Sequence, residues 1–288
     1  MQDTLSDTLN DTARPRRRRD DGDDAIGATS SPTQSLDRAM DLLDVVVGHS
    51  ASGIALGALA AIVGLSKPTA HRLLNGLRNA GMIDYDSARR LFVPAFKLYS
   101  MGQAAAVRFD VIQIANASLE RLAEETGDTV FLTARSGDFA VCVARTMGSF
   151  PIKTLTLDVG DVRPLGLGAN GMVLLSALRE EDIERNLSRH QQALRAFPKF
   201  DEASIRRYIA TTRENGYGFS EGLVLPEMSA LAVGIRGAGG TVDAAISVAA
   251  ITSRMQQPRR NALVQQVRQE VESIERLIFE RAGSRARA

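Results

Sequence analysis

Apolar residues recur at three- and four-residue steps from Ser35 onward. Leu36, Met40, Leu43 and Val47 predict an amphipathic helix over Ser35–Val47, with Ser35 as its cap. After a break from Gly48 to Gly53, Leu56, Leu59, Ala60 and Val63 mark a second short helix that ends at Gly64. Ser66 then caps a third helix, Lys67–Ala80, which tolerates Pro68 in its first turn. Ala70, Leu73, Leu74 and Leu77 form its apolar stripe and Gly81 stops it. Met82–Tyr85 and Leu91–Val93 are short apolar strands about the polar, basic turn Asp86–Arg90, which reads as a hairpin. Helical spacing returns over Phe96–Ala106 and Val111–Glu125, closed by Gly127.

The pattern then changes. Thr129–Ala134 and Phe139–Ala144 read as two strands about a turn at Ser136-Gly137-Asp138, and Ile152–Leu157 predicts a third strand. A Gly-rich loop, Gly166–Gly171, opens an apolar helix over Met172–Leu178. Helices are expected at Glu181–His190, Asp201–Asn215 and Arg260–Arg281, and strands at Ser229–Ile235 and Val242–Ile251. Such mixing predicts an α+β domain. The expected division is a tail over 1–33, a winged helix-turn-helix over 34–94, a linker helix over 95–110 and an α+β domain over 111–288.

At 288 residues, with 44% hydrophobic and 24% charged, the chain has an ordinary globular composition. A net charge of +1 advertises no polyanionic partner, so any nucleic acid must be met by a local patch. The single cysteine, Cys142, excludes an intrachain disulfide framework; lying in an apolar strand, it reads as a packed core residue. His49, His71 and His190 stand far apart, which disfavours a histidine metal site; His190 is expected to be solvated at a helix end. No cofactor or metal is expected, and no Ser–His–acid order, HExxH or phosphate-binding GxxxxGK[ST] run points to an enzyme. No apolar run approaches the roughly 18 residues of a membrane span. The N-terminus has no secretory core, so no membrane partner and a cytoplasmic location are expected. The tail carries arginines at Arg14 and Arg16–Arg19, followed by Asp20, Asp21, Asp23 and Asp24. It reads either as an arm on DNA phosphates or as a solvated, self-neutralising charge run.

Two short helices about a Gly turn, followed by a basic hairpin, are the arrangement that presents a helix to the major groove of duplex DNA. The candidate contacts on the third helix are Ser66, Lys67, Thr69, His71, Arg72 and Asn75, and those on the hairpin turn are Arg89 and Arg90. Arg72 can reach guanine acceptors or a phosphate, Thr69 and His71 can bond base edges, and the hairpin arginines suit backbone or minor groove. Between Leu36 and Lys97 there are seven bases and five acids, the bases falling mainly on the third helix and hairpin. In the second half, the small residues Gly168-Ala169-Asn170-Gly171 before a helix either let backbone N–H groups approach an anion or merely shape a strand-to-helix turn.

The run Gly64–Leu74, with Leu77 and Gly81, resembles the recognition-helix signature of the IclR-type (isocitrate lyase regulator) family of bacterial transcription regulators. Ser35–Ala39, Pro164-Leu165 with Ala169 and Gly171, Gly216-Tyr217-Gly218 and Ala245–Val248 resemble further family motifs, in order, across roughly 35–280. The resemblance implies a winged helix-turn-helix that binds double-stranded operator DNA, a linker helix and a GAF-like domain that binds a small organic effector, often a carboxylate or aromatic metabolite. It also implies a homodimer or homotetramer. The effector positions it assigns are Gly168, Ala169, Ser220, Met228, Ala230 and Ser247. Gly166 stands where the family often has His, Met172 where Lys is usual, Ser220 where some members are acidic, Ala230 where Cys occurs, and Ala249 in place of a small polar residue. From these departures we expect a pocket poor in polar groups that prefers a larger apolar or aromatic effector. The competing readings are a small-molecule enzyme with an attached helical domain and a dimerisation scaffold.

Overall fold

The computed structural model describes residues 33–106, 110–194, 197 and 201–285. Apart from Thr33, the expected tail lies outside these residues. The chain divides into two compact units, with the boundary in the sequence between Phe109 and Asp110.

In the first unit, α1 (Gln34–Gly48), α2 (Leu56–Val63) and α3 (Lys67–Asn79) are followed by the hairpin β1 (Ile83–Asp86) and β2 (Leu91–Pro94) and by α4 (Phe96–Ala106). The sequence pattern misplaced both the start and the inner face of α1. The helix begins at Gln34, so Ser35 lies inside it, and the preceding Thr33 makes no side-chain cap. Leu36 is 62% exposed, and Met40 and Val47 also face solvent, while Leu42, Leu43, Val45 and Val46 are buried. The run has apolar residues on more than one flank, and packing against the other helices and β2 selects which flank is buried. That core joins the α1 residues to Leu59, Ala70, Leu74, Leu77, Ile83 and Phe92. α3 follows its sequence signals closely. Ser66 Oγ accepts the Thr69 N–H at 3.4 Å, and Pro68 occupies the first turn. Gly64, at φ +68°, turns the chain out of α2, a conformation that costs a residue with a Cβ.

The second unit comprises α5 (Asp110–Thr126), β3 (Thr129–Ser136), β4 (Phe139–Met147), β5 (Val162–Pro164), α6 (Gly168–Ser176) and α7 (Glu180–Leu194). α8 (Glu202–Asn215), β6 (Gly218–Glu221), β7 (Met228–Arg236), β8 (Val242–Ile251) and α9 (Arg259–Arg285) complete it. Its six strands form one antiparallel sheet in the order β5-β4-β3-β8-β7-β6. Successive strand residues face opposite sides. Val130, Leu132, Ile246, Val248, Leu231 and Val233 therefore bury one face against α5 and α9. The intervening positions turn to the other face, where α6, α7 and α8 pack.

Three expectations here need correction. Ile152–Leu157 is not a strand. Its carbonyls are taken by side chains, Thr156 O by Arg163 and Leu157 O by Arg145, and the edge of β4 pairs with Val162–Pro164 instead. α6 starts at Gly168, four residues before the expected Met172, so the small residues are its first turn rather than a loop before it. His190 is not solvated. It is 3% exposed inside α7, with its ring edge-on to Phe139 at 4.8 Å and Nε2 3.9 Å from Asp138. Burial pushes its pKa below the ordinary imidazole value, against the opposing pull of Asp138.

Candidate functional site

In the first unit, α3 buries Ala70, Leu74 and Leu77 and exposes Lys67, His71 and Arg72. The helix carries no acidic residue. Thr69 and Asn75 are half-buried. The Ser66 and Thr69 hydroxyls bond each other at 2.9 Å, so the helix cap engages both. Asn75 Nδ2 and His71 Nδ1 lie 3.3 Å apart one turn along, which couples two outward polar groups. On the hairpin turn, Asp86 Oδ1 accepts from the backbone N–H groups of Ala88 and Arg89, both at 3.0 Å. The turn must then close through Arg90, which sits at φ +58°. Arg89 Nη2 donates to Ser52 O at 2.8 Å and braces the hairpin to the α1–α2 connection. Arg90 is exposed and its guanidinium makes no hydrogen bond or ion pair among the described residues. The two adjacent arginines, equivalent in sequence, thus differ in what their side chains are free to do.

In the second unit, strand register builds the floor of a cavity. Ser220 pairs with Ala230, Ala230 with Ala249, and Ser247 with both Ala232 and Phe131. These residues share the sheet face toward α6. Most are small, so they leave space between sheet and helix where the opposite face is filled by Ile, Val and Leu. α6 can lie low over β6 because Gly218 has no side chain; a Cβ there would sit 2.8 Å from Ala169 O. The result is a cleft of about 530 Å³, open solvent included. Thr154, Thr156 and Leu157 wall it from the β4–β5 connection, Arg163 from β5, and Val224 and Leu225 from the β6–β7 connection.

Gly168, Ala169, Ser220, Met228, Ala230 and Ser247 all line this one cavity, although 79 residues separate the first from the last. The expectation of a pocket poor in polar groups does not hold. Thr154, Thr156, Arg163 and Asn170 also line it. Asn170 Nδ2 donates to Thr133 Oγ1 at 2.8 Å and Ser247 Oγ at 2.9 Å, while its Oδ1 has no partner. Met228 Sδ accepts from the Thr154 hydroxyl at 3.4 Å. Arg163 is only 7% exposed, and burial lowers its pKa to about 10. Sequence reasoning passed over Arg163. Its signal was one arginine inside the otherwise apolar run Val162–Leu167. Cys142 is buried beside Phe131 and Ala249, and burial pushes its thiol up to about 11. Among the described residues no cluster of His, Cys, Asp and Glu could hold a metal ion, and no helix is long and apolar enough to cross a membrane.

Residues 35–87 match the model of the IclR helix-turn-helix domain, and residues 103–276 match that of the bacterial transcriptional regulator IclR C-terminal region. The DNA-binding transcriptional repressor YiaJ of Escherichia coli is 26% identical over 251 residues, covering 84% of this chain and 86% of that protein. An IclR transcriptional regulator from Alicyclobacillus acidocaldarius has a similar structure, with TM-score 0.69 and 25% identity over 84% of this chain and 97% of that one. An IclR homolog from Microbacterium hydrocarbonoxydans complexed with 4-hydroxybenzoate shares the fold, with TM-score 0.71 and 20% identity over 85% of this chain and 99% of that one.

Proposed function

The chain belongs to the IclR family of bacterial transcriptional regulators, and on that premise we propose how its residues divide the work. α3 enters the major groove of an operator. Lys67, Thr69, His71, Arg72 and Asn75 face the bases and flanking phosphates, and Ser66 holds the helix N-terminus toward the backbone. Arg90 meets a phosphate beside the groove, while Arg89 holds the hairpin in place. Residues 34–94 act as the DNA-reading domain, 95–110 as the linker, and 111–288 as the effector domain. A small organic effector occupies the cavity lined by Gly168, Ala169, Ser220, Met228, Ala230 and Ser247. Its occupancy changes operator affinity because the effector binds two states of the protein unequally.

The observation that carries this reading is the outward face of α3, polar, basic and free of acids, with a basic hairpin in the same unit. α4 exposes Phe96, Tyr99 and Met101, an apolar surface suited to self-association as a homodimer or homotetramer. Paired reading helices of such an oligomer would suit half-sites about 34–36 Å apart or a multiple of that. We place the protein in the cytoplasm, where its DNA is, and assign it no catalytic activity. The elevated Cys142 pKa argues against a thiolate nucleophile near the cavity. The test is selection of bound duplexes from the genomic region around the gene, followed by binding of Arg72→Ala. We expect that variant to lose about 1–3 kcal/mol on the selected site and to relax preference at one base position. Retained affinity and preference would remove α3 from the reading role.

A further inference from the structure

Among the described residues that line the cavity, Arg163 is the one with a charged side chain, and none carries a carboxylate. Arg163 forms no ion pair among the described residues, and its one hydrogen bond there runs from Nη2 to Thr156 O. Asp161 acts on it only from a distance beyond ion-pair contact. A guanidinium withdrawn from water without a counter-ion is costly, and removing the cost requires an anion within reach. The first turn of α6, at Gly168 and Ala169, turns the positive end of a nine-residue helix toward the same space. The second unsatisfied group is of opposite character. Asn170 is 7% exposed and lines the cavity, and its Oδ1 lacks the donor that a buried amide oxygen requires.

We propose that Arg163 is the specificity-determining residue of the cavity, pairing with the carboxylate of the effector while Asn170 Oδ1 accepts a hydrogen bond from a hydroxyl on the same molecule. The inference rests on the reading of this cavity as the effector site and narrows the effector to a small hydroxylated carboxylic acid. Without an anion beside it, the buried Arg163 guanidinium is held in the fold at a cost to stability. Loss of Arg163 should harm binding more than the fold, because releasing the Thr156 carbonyl is offset by removing an unpaired buried charge.

Two matched sets of probes separate these terms: 4-hydroxybenzoate, benzoate and 4-hydroxybenzamide; and lactate, propionate and lactamide. Isothermal titration and thermal shift of the full chain are read with each. A hydroxy acid of at least one set binds, loss of its hydroxyl weakens binding roughly tenfold, and replacing the carboxylate by the amide weakens it roughly a hundredfold. Arg163→Met loses the preference for acid over amide, Arg163→Lys regains part of it, and the unliganded melting temperature of Arg163→Met equals or exceeds that of the native chain. Asn170→Leu abolishes the difference between each acid and its deoxy counterpart. Unchanged acid affinity in Arg163→Met, or amides binding as well as acids, would overturn the assignment of Arg163 while leaving the cavity as an effector site. A lower unliganded melting temperature in Arg163→Met together with an equal loss of acid and amide binding would make the arginine a support of the Thr156 loop alone and also overturn it. If none of the six probes binds the native chain but other small organic molecules raise its melting temperature, the hydroxy-acid assignment fails and the cavity stands as an effector site; if no small organic molecule does, both readings fail.

Discussion

Replacing Arg90 by glycine should strengthen the fold of the first unit and weaken its hold on DNA. Arg90 occupies the left-handed region at φ +58°, which costs a residue with a Cβ about 1–2 kcal/mol. Glycine removes that strain but gives the unfolded chain extra freedom worth about 0.4–1 kcal/mol. The net gain is about 0.5–1 kcal/mol, which for a unit of this size raises the melting temperature by roughly 2–8 °C. Little offsets it, because the Arg90 side chain is exposed and makes no polar contact among the described residues. On DNA the same change deletes one cation that can neutralise a phosphate, so a plot of log affinity against log salt should become shallower by about 0.9. The assays are thermal unfolding by circular dichroism and fluorescence anisotropy on a random-sequence duplex across a potassium chloride series. Arg90→Ala is the control: it retains the strained backbone, so it should show the shallower salt slope without the gain in stability. A lower melting temperature in Arg90→Gly would refute the strain argument. A salt slope equal to that of the native chain would refute the phosphate contact.

Other expectations concern the second unit. Asp128 is buried and accepts from Arg254 at 2.9 Å and Arg259 at 2.6 Å; Asp128→Asn should leave two guanidiniums short of a counter-charge and cost about 2–4 kcal/mol in urea unfolding. His190 has its pKa lowered in the fold, chiefly by desolvation, so the unfolded chain binds a proton first as pH falls. Stability should therefore drop as pH descends from about 7 toward 5, and His190→Leu should flatten that part of the unfolding curve. With its thiol pushed up to about 11 and its side chain buried, Cys142 should react with a disulfide reagent at neutral pH only after the chain is denatured. Rapid labelling of the native protein would show that the strand opens.

Local rules carried furthest where neighbouring residues were enough to satisfy one another. The cap at Ser66, the Gly64 turn, Pro68 in the first turn and the stripe Ala70, Leu74 and Leu77 made α3 legible before any tertiary contact was known. The long α9 was legible because its apolar period persists over many residues, and β7 and β8 because they are nearly continuous apolar runs. The inner face of α1 was not, because apolar residues stand on several of its flanks and only the packed partners choose among them.

The cavity shows the division most clearly. The small residues of α6 and β8 are visible in the chain, and the family motifs marked six positions that do meet at one place. Its electrostatic character could not be read that way. Arg163 sits in a three-residue edge strand of the kind too short to have a period, and the segment that supplies Thr154 and Thr156 has a strand-like pattern yet is held as a loop by Arg145 and Arg163. The order of residues thus determined most of the elements, because their periodicities are set by residues a few positions apart, while the edge strands β5 and β6 and the Ile152–Leu157 loop needed distant partners. Whether a buried arginine has a neighbour to neutralise it, or a histidine has water, depends on groups brought together from distant parts of the chain, and that was decided only when the sheet and its covering helices closed around them.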